Sequence, residues 1–248
     1  MKITSVNNDL VKETAKLLKN KYRDESGLFL IEGEKGVNEA LLAGLEINHI
    51  FVLENEPLFS GEKVIETTEA VLSKISDAKS APKVVAVAKQ PKPDFNKLAS
   101  LNKIILLEGI KDAGNLGTIL RTATAFGVDG IVLYGDTVDL YNPKCVRSTV
   151  GNLWKIPVFK IKEFSLLESN FKDYERIATL PKGTDIINLK DFNTQQKTLI
   201  MFGSEADGLS EELKNFATKN ITIEMKENVE SLNLSISVGV ILYKIFVQ

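Results

Sequence analysis

A polar stretch follows an apolar segment near the middle of the chain, in the sequence EGIKDAGNLGTILRTATAFG at positions 108–127. Asn115 lies near the start of the helix predicted there, and Arg121 lies well inside it. Free N–H groups at a helix N-terminus next to glycine form an anion site. Arg121 is suited to complete a phosphate or ribose cradle at such a site. The plainer alternative is a surface arginine in an exposed salt bridge.

The apolar spacing of this helix predicts where Arg121 points. Leu116, Ile119, Leu120 and Ala123 follow the i, i+3, i+4, i+7 pattern of an amphipathic helix. We expect these four side chains to face a sheet. Arg121 then points away from the core, toward solvent or a ligand.

Two later stretches carry polar residues directly after apolar strands. FGSEADGLS, at 202–210, contains Glu205, and EMKENVESLNLSISVGV, at 224–240, contains Ser231 and Asn233. Each alone is typical of a turn or a helix cap. Because open α/β sheets bind ligands at the carboxyl ends of their strands, three such loops together predict a shared crevice.

The order of apolar segments predicts two domains. Pro91 and Pro93 lie among lysines in AKQPKPDFNKLAS and indicate a linker. We predict a first domain at 1–90, a linker at 91–102 and a second domain at 103–248. Strands and helices alternate in the first part, which favours a small α/β layer domain. A strand, a helix and continuous apolar runs favour an open parallel sheet with helices on both faces in the second.

Composition excludes several classes of function. The 248 residues hold 31 basic and 33 acidic side chains, so a nucleic-acid partner must be bound by a local basic patch. The single cysteine and the single histidine exclude an intrachain disulfide and a zinc site built on several such ligands. His49, the one histidine, lies in the predicted strand INHIFVL and is expected to be structural, which argues against a Ser-His-Asp triad. The absence of a signal core and of a long apolar span predicts a cytoplasmic protein without a membrane partner.

A dinucleotide-binding site is a weaker alternative. Such a site requires G-x-G-x-x-G at the first strand–helix turn, with an acidic residue further on to bind the ribose. The chain offers only GNLG at 114–117, although Asp136 follows the second strand. The glycine spacing therefore argues against a nicotinamide oxidoreductase.

The three motifs, in their order along the chain, resemble the signature motifs of the SpoU/TrmH branch of the SPOUT RNA methyltransferases. RDESGLFLIEGEKGVNEAL, at 23–41, resembles the substrate-binding domain that many members carry. The resemblance implies an α/β fold, with an open parallel sheet and a C-terminal trefoil knot, preceded by a small α/β/α ribosomal-protein-like domain. It implies a homodimeric RNA 2′-O-ribose methyltransferase that uses S-adenosylmethionine and requires no metal. Ribosomal RNA is the expected substrate, and transfer RNA or a non-catalytic RNA- or ribosome-binding role are the alternatives.

The resemblance also assigns residues. Those implied at the reaction centre are Asn115, Arg121, Glu205, Ser231 and Asn233. Those implied at the cofactor pocket are Gly203, Ile223 and Leu232. Contacts with RNA are expected from Lys16, Lys19, Arg23 and Arg147, where the first three belong to a basic strip on and after the first helix, and Ser148 and Gly151 are expected at RNA or a partner subunit.

Two features depart from simple expectations. Ala113 and Glu224 stand where the family commonly has proline, which affects loop rigidity more than chemistry. The alternation of apolar and small residues in LNLSISVGV predicts a strand, whereas the resemblance implies a helix. Arg121 is expected to act by its charge, because a guanidinium stays protonated at any usable pH.

Overall fold

The computed structural model describes residues 1–56, 58–181, 185–194, 197–226, 228–229 and 231–247. They form two compact units. The first contains Met1–Lys92 and Asp139–Lys155, and the second contains Pro93–Val138 and the chain from Ile156 onward. The sequence-based division keeps all of 103–248 together, whereas packing groups 139–155 with the N-terminal part.

The first unit is an α/β layer structure. Its described elements, numbered in chain order, are β1 (Lys2–Ile3), α1 (Asp9–Lys16), α2 (Asn20–Ser26), β2 (Leu28–Glu32), α3 (Glu34–Leu42), β3 (Ile47–Leu53), β4 (Val64–Thr67), α4 (Glu69–Lys74) and β5 (Val84–Lys89). The strands form one sheet in the order β1-β4-β3-β5-β2. β5 pairs antiparallel with β2 and β3, and the remaining pairs are parallel.

Apolar side chains of α1, α4 and the sheet form the core of this unit. Val11 of α1 and Leu72 of α4 are fully buried with Phe51 of β3. α1 begins where the Asn8 side chain accepts a hydrogen bond from the Leu10 N–H, which is the common capping arrangement. The amphipathic pattern of α1 thus leaves its lysines on the outer face.

The second unit contains a sheet of parallel strands in the order β10-β12-β9-β11-β6-β7-β8. Its described strands are β6 (Lys103–Glu108), β7 (Gly130–Tyr134), β8 (Val158–Ile161), β9 (Glu175–Thr179), β10 (Ile186–Asn188), β11 (Thr198–Phe202) and β12 (Lys219–Thr222). Its described helices are α5 (Ala113–Ala125), α7 (Phe164–Phe171), α8 (Glu211–Phe216) and α9 (Leu234–Phe246), with 3-10 turns at Phe95–Ser100 and Leu189–Asp191. α6 (Pro143–Thr149) belongs to the first unit and packs on β2.

The parallel sheet predicted from the continuous apolar runs is confirmed. Leu106, Val132, Leu199 and Met201 are fully buried between the strands and their covering helices. β6 and β11 are neighbours although nearly a hundred residues separate them in sequence. The loops that follow these two strands therefore begin side by side at the carboxyl edge of the sheet, where crevices form in open α/β folds.

α5 and α9 pack against one another over this edge. Leu116, Ile119, Leu120 and Ala123 of α5 are fully buried, as their spacing predicts. For LNLSISVGV the helix implied by the family resemblance is confirmed and the strand indicated by the alternation is not formed, because the residues from Leu234 onward are the first half of α9 and Asn233 is its N-cap. The segment is apolar or small on nearly every side, so tertiary packing rather than local periodicity determines its structure.

The described helices include none that is both long and apolar enough to cross a bilayer. In the same part of the chain, no group of three or more His, Cys, Asp or Glu side chains is arranged to hold a metal ion.

Candidate active site

Three loops from different strands meet at the carboxyl edge of the second unit's sheet. The Asn115 amide donates to Glu205 Oε1 at 2.7 Å. The Asn233 amide donates to Asn115 Oδ1 at 3.2 Å. The crevice predicted from the sequence is confirmed to this extent: the loops after β6, β11 and β12 are joined by direct side-chain contacts.

Helix caps fix the two asparagines. Asp112 Oδ1 accepts the N–H of Asn115 at 2.8 Å and caps α5. Asn233 Oδ1 accepts the N–H of Ser235 at 2.9 Å, and its hydroxyl at 2.6 Å, and caps α9. The sequence analysis omitted Asp112 and treated Ser235 only as a small residue. An aspartate three residues before Asn115 is a capping signal that would have identified the first of them.

The loop at 203–209 is folded tightly on itself. A Cβ atom on Gly203 would lie 1.9 Å from the Gly208 carbonyl carbon and 2.2 Å from the Leu209 nitrogen. The Ser204 and Gly208 N–H groups each donate to the other's carbonyl oxygen. Because these contacts are to backbone, a side chain at 203 would force the whole loop to move.

A cavity of about 740 Å³ opens beside this loop. The residues predicted to hold the cofactor, Gly203, Ile223 and Leu232, all line it, as do Ser231 and Glu205. The cavity lies within the range of about 300–1,000 Å³ typical of small-molecule sites. Its wall combines main chain of three loops with apolar side chains.

Arg121 differs from the other predicted reaction-centre residues. Its side chain is exposed on α5, and it forms no hydrogen bond or ion pair with any described residue. Glu205 is hydrogen-bonded to Asn115 and not to Arg121. Ser231 is exposed and likewise has no hydrogen bond to a described residue.

Arg23 does not belong to the basic strip. Its side chain is only 2% exposed, its Nε donates to Asp139 Oδ2 at 2.7 Å and its Nη1 donates to the Leu17 carbonyl. The guanidinium is buried and already paired, so this structure does not present it to RNA, and a contact of Arg23 with RNA stays a prediction. A helical projection could not show this, since Asp139 is distant in sequence.

Arg147 is also paired. Its guanidinium donates to Glu32 at 2.8 Å and to Asp77 at 3.1 Å. Glu32 additionally accepts the Ser76 hydroxyl and the Asp77 N–H, each at 3.0 Å. Arg147 keeps 31% exposure, so its assignment to RNA stays a prediction for a side chain that two carboxylates already bind.

The remaining predicted contacts lie on the first unit. Lys16 forms a surface pair with Glu13 at 2.6 Å, and exposed Lys19 immediately precedes α2. A Cβ on Gly151 would lie 2.7 Å from Glu39 Cβ, so this glycine is needed for packing against α3. Within the part of the chain described, direct hydrogen bonds join the side chains of three residues predicted at the reaction centre, Asn115, Glu205 and Asn233, whereas no side-chain hydrogen bond joins the residues predicted to bind RNA to one another.

The two positions that lack proline have other anchors. Ala113 is the first residue of α5 and is 7% exposed. Glu224 accepts hydrogen bonds from Asn188 at 3.0 Å and from Lys190 at 2.8 Å. Lys190 and Asn188 lower the pKa of the Glu224 carboxyl, and the same hydrogen bond raises the pKa of Lys190. Glu227 and Glu230 of the third motif lie outside the described residues.

Comparison with known proteins gives one family. Residues 102–243 match the SpoU rRNA Methylase family, and residues 8–86 match the MRM3-like substrate binding domain. An uncharacterized tRNA/rRNA methyltransferase of Synechocystis is 35% identical over 98% of this chain and 92% of its own length. The 23S rRNA (guanosine(2553)-2′-O)-methyltransferase RlmP of Bacillus subtilis is 29% identical, with 97% of each chain covered.

A solved structure agrees with these relatives. The AdoMet-bound rRNA methyltransferase of Sinorhizobium meliloti superposes with a TM-score of 0.87 at 28% identity, covering 98% of this chain and 96% of that one. The resemblance indicated by the three motifs is thus confirmed, and it extends over almost the whole length of the chain. The chain belongs to the SpoU rRNA methylase family, with an MRM3-like substrate-binding domain at its N-terminal end.

Proposed function

We propose that this protein is an S-adenosylmethionine-dependent RNA 2′-O-ribose methyltransferase that acts on ribosomal RNA. One observation carries the proposal: Asn115, Glu205 and Asn233 join three loops beside a cavity, while Arg121 on the same helix has no described partner. Relatives named as 23S rRNA 2′-O-methyltransferases support the reaction and the substrate class.

The cavity fits the cofactor. Apolar Ile223 and Leu232 provide a surface for an adenine ring, and Gly203 leaves backbone groups accessible on the loop. Glu205 lines the same cavity, and its carboxylate would offset the positive charge of a sulfonium bound there. When bound, S-adenosylmethionine supplies an activated methyl group, so the protein has chiefly to position the two reactants.

The ribose hydroxyl must be placed in line with the methyl–sulfur bond. Asn115 and Asn233 present amide groups from capped helix ends, and Ser231 presents a free hydroxyl, so these side chains are suited to hold the ribose. Glu205 holds Asn115 by a charge-assisted hydrogen bond. Their fixed orientation provides the preorganisation that such a displacement needs.

Arg121 supplies charge rather than a base. Its guanidinium binds the phosphate next to the target ribose and stabilises the alkoxide that develops during attack. A nearby polar group or water then takes the proton. This role requires that Arg121 be unpaired before RNA arrives, which agrees with its exposure.

The family fold completes the proposal. Residues 1–90 act as a ribosomal-protein-like RNA-binding domain, 91–102 as the linker and 103–248 as the catalytic domain. The segment after β12 and α9 form a C-terminal trefoil knot around the cofactor loops. The expected location is the cytoplasm, where rRNA is found, and the reaction requires no metal.

Homodimerisation through the catalytic domain is also part of the proposal. Ile236, Val240, Tyr243 and Val247 recur along one face of α9 and are 41–55% exposed. An apolar stripe of this kind usually marks a protein–protein surface. Sedimentation velocity should give a dimer for the wild type and a monomer for V240E, and a monomeric wild type would refute this part.

Two measurements test the function. Calorimetric titration with S-adenosylmethionine should show binding, and mapping of 2′-O-methyl groups in total RNA should show one rRNA site lost when the gene is deleted. A lost site in transfer RNA would support the alternative substrate. Absence of cofactor binding together with an unchanged methylation map would support a non-catalytic RNA-binding protein.

A further inference from the structure

Two side chains to which the family resemblance assigned no role meet the first turn of α8. Glu108 Oε2 accepts the N–H of Ser210 at 2.7 Å. The Tyr134 hydroxyl donates to Glu212 Oε2 at 2.8 Å. Glu108 and Tyr134 are the last residues of β6 and β7 and lie opposite one another in the parallel register. We refer to these two side chains as the α8 anchor.

Both contacts are partly buried hydrogen bonds to a carboxylate. Tyr134 is 7% exposed, and its burial, followed by its hydrogen bond to Glu212, raises the pKa of the phenol, so the hydroxyl remains a donor. The Glu108 bond is partly buried and involves a carboxylate, which makes it stronger than a neutral hydrogen bond. Ser210 in turn caps α8 through its hydroxyl, which accepts the Leu213 N–H.

The anchor fixes one end of the loop at 203–209. The other end is the terminus of β11, within the sheet. Gly203 and Gly208 lie in close backbone contact, which couples the two ends of the loop. Displacing Ser210 therefore displaces Glu205, which holds Asn115, and displaces the loop wall of the cavity.

We propose that Glu108 and Tyr134 are positioning residues of the cofactor site, which set the 203–209 loop through the first turn of α8. Neither residue is among those that line the cavity or is hydrogen-bonded to Asn115, Glu205 or Asn233, and both act through Ser210 and Glu212. This inference rests on the proposed function, because it assumes that the cavity binds S-adenosylmethionine.

The chain offers a matched control. Asp129 Oδ2 accepts the N–H groups of Asn102 and Lys103 at 3.0 and 2.9 Å, at the opposite, amino-terminal end of β6. D129A thus removes the same kind of carboxylate–backbone bond from the same strand, away from the cofactor site. Comparing D129A with E108A separates a general loss of stability from a loss of positioning.

The experiment measures S-adenosylmethionine affinity by calorimetry and the melting temperature of each cofactor-free variant. We expect E108A to bind about tenfold more weakly, equivalent to about 1.4 kcal/mol, and Y134F about threefold more weakly. E108Q retains an acceptor for Ser210 and should bind close to wild type. D129A should melt at a lower temperature but keep wild-type affinity.

Each result decides the inference. Wild-type affinity in both E108A and Y134F would overturn it, as would an equal loss of affinity in D129A. If E108A does not fold, Y134F and E108Q still give the comparison. If the wild-type protein binds no S-adenosylmethionine, the proposed function is refuted instead. The melting temperatures alone cannot refute it. In turnover assays the KM for the cofactor should rise in E108A while the KM for RNA stays unchanged.

Discussion

Arginines in the two units are used in opposite ways. In the first unit, Arg23 and Arg147 are engaged by Asp139, Glu32 and Asp77. In the second unit, Arg121 stands on an exposed helix face without a described partner. All three occur in motifs that the family resemblance would assign to substrate, yet the structure separates them by their surroundings.

The difference teaches what an arginine can be used for. A buried guanidinium needs a carboxylate to offset its desolvation, and once paired it holds chain segments together. An exposed, unpaired guanidinium costs little in the folded protein and remains available for a phosphate. The state of pairing, rather than the motif, therefore distinguishes the two paired arginines from Arg121, to which the proposed function assigns a role at the substrate.

The largest effect is expected from Arg23. R23A removes a buried guanidinium together with its ion pair to Asp139, which should reduce the free energy of unfolding by about 3–5 kcal/mol. Urea denaturation measures this. The double variant R23M/D139L removes both charges and should regain most of the loss. Unchanged stability in R23A, with weaker RNA binding, would break the comparison by making Arg23 a substrate residue.

Replacement of Arg121 should lower activity without lowering stability. R121A is expected to lower kcat about 100-fold, in the range seen when a charge-stabilising donor is removed, with no change in melting temperature. Single-turnover methylation of rRNA measures the rate. R121K provides the finer test: near-normal turnover with a shifted pH profile would show that the fixed guanidinium fork is not the essential feature.

The loss of stability in an Arg147 variant should lie between those of the Arg23 and Arg121 variants. R147A leaves the buried Glu32 carboxylate with only the Ser76 and Asp77 donors. We expect a loss of about 1–2 kcal/mol, less than for Arg23 because Arg147 is partly exposed. D77N, which weakens only the exposed arm, should be nearly neutral. Methylation lost with stability intact would instead place Arg147 at the RNA.

The exposed lysines of the basic strip allow the predicted phosphate contacts of the first unit to be tested. The double variant K16A/K19A should reduce the salt dependence of RNA binding by about 0.7–0.9 in logarithmic slope for each lysine that contacts phosphate. Filter binding across a range of salt concentrations measures the slope. K83A, an exposed lysine of the same unit outside the strip, serves as the control, and an RNA affinity indifferent to salt would exclude the strip.

The smallest effect is expected from the exposed Lys190–Glu224 pair. The lowered pKa of Glu224 means that its contribution is present above the ordinary carboxyl value of 4.5 and is lost as the pH falls through the lowered value. The raised pKa of Lys190 means that its contribution is lost as the pH rises through that value. E224Q should hardly change the melting temperature near neutrality, because both side chains are 63% exposed. A large drop would show that this pair replaces proline as a rigid anchor.

Much of the second unit was predictable because local patterns and global packing agree there. The buried face of α5, the parallel strands and the meeting of three loops follow from apolar spacing and from the rule that ligands bind at strand carboxyl ends. The hydrogen bonds among Asn115, Glu205 and Asn233 realise that expectation. Recognition of the family, and not the spacing, supplied the chemistry.

The contacts that the sequence did not predict share a cause. Nothing near Arg23 in the sequence indicates Asp139 as its partner, and nothing near Arg147 indicates Glu32, because only the folded chain brings these residues together. The alternation at 232–240 indicated a strand, but the residues from Leu234 onward are helical. A helix that is apolar or small on most sides lacks the 3.6-residue hydrophobic period by which a helix is recognised. The positioning role that we propose for Glu108 was likewise not predictable from the sequence, since it depends on a contact with Ser210, which lies 102 residues away.

The packing of residues 139–155 has a practical consequence for dissecting this enzyme. A fragment that starts after the proline-containing linker would retain α6 but lose β2 and α3, against which it packs. Buried Leu140, Cys145 and Val146 would then be uncovered, and Asp139 would lose its guanidinium. Such a truncation would therefore be prone to aggregate, and its inactivity would say nothing about which half of the polypeptide catalyses. Limited digestion is expected to nick exposed loops while the pieces stay associated.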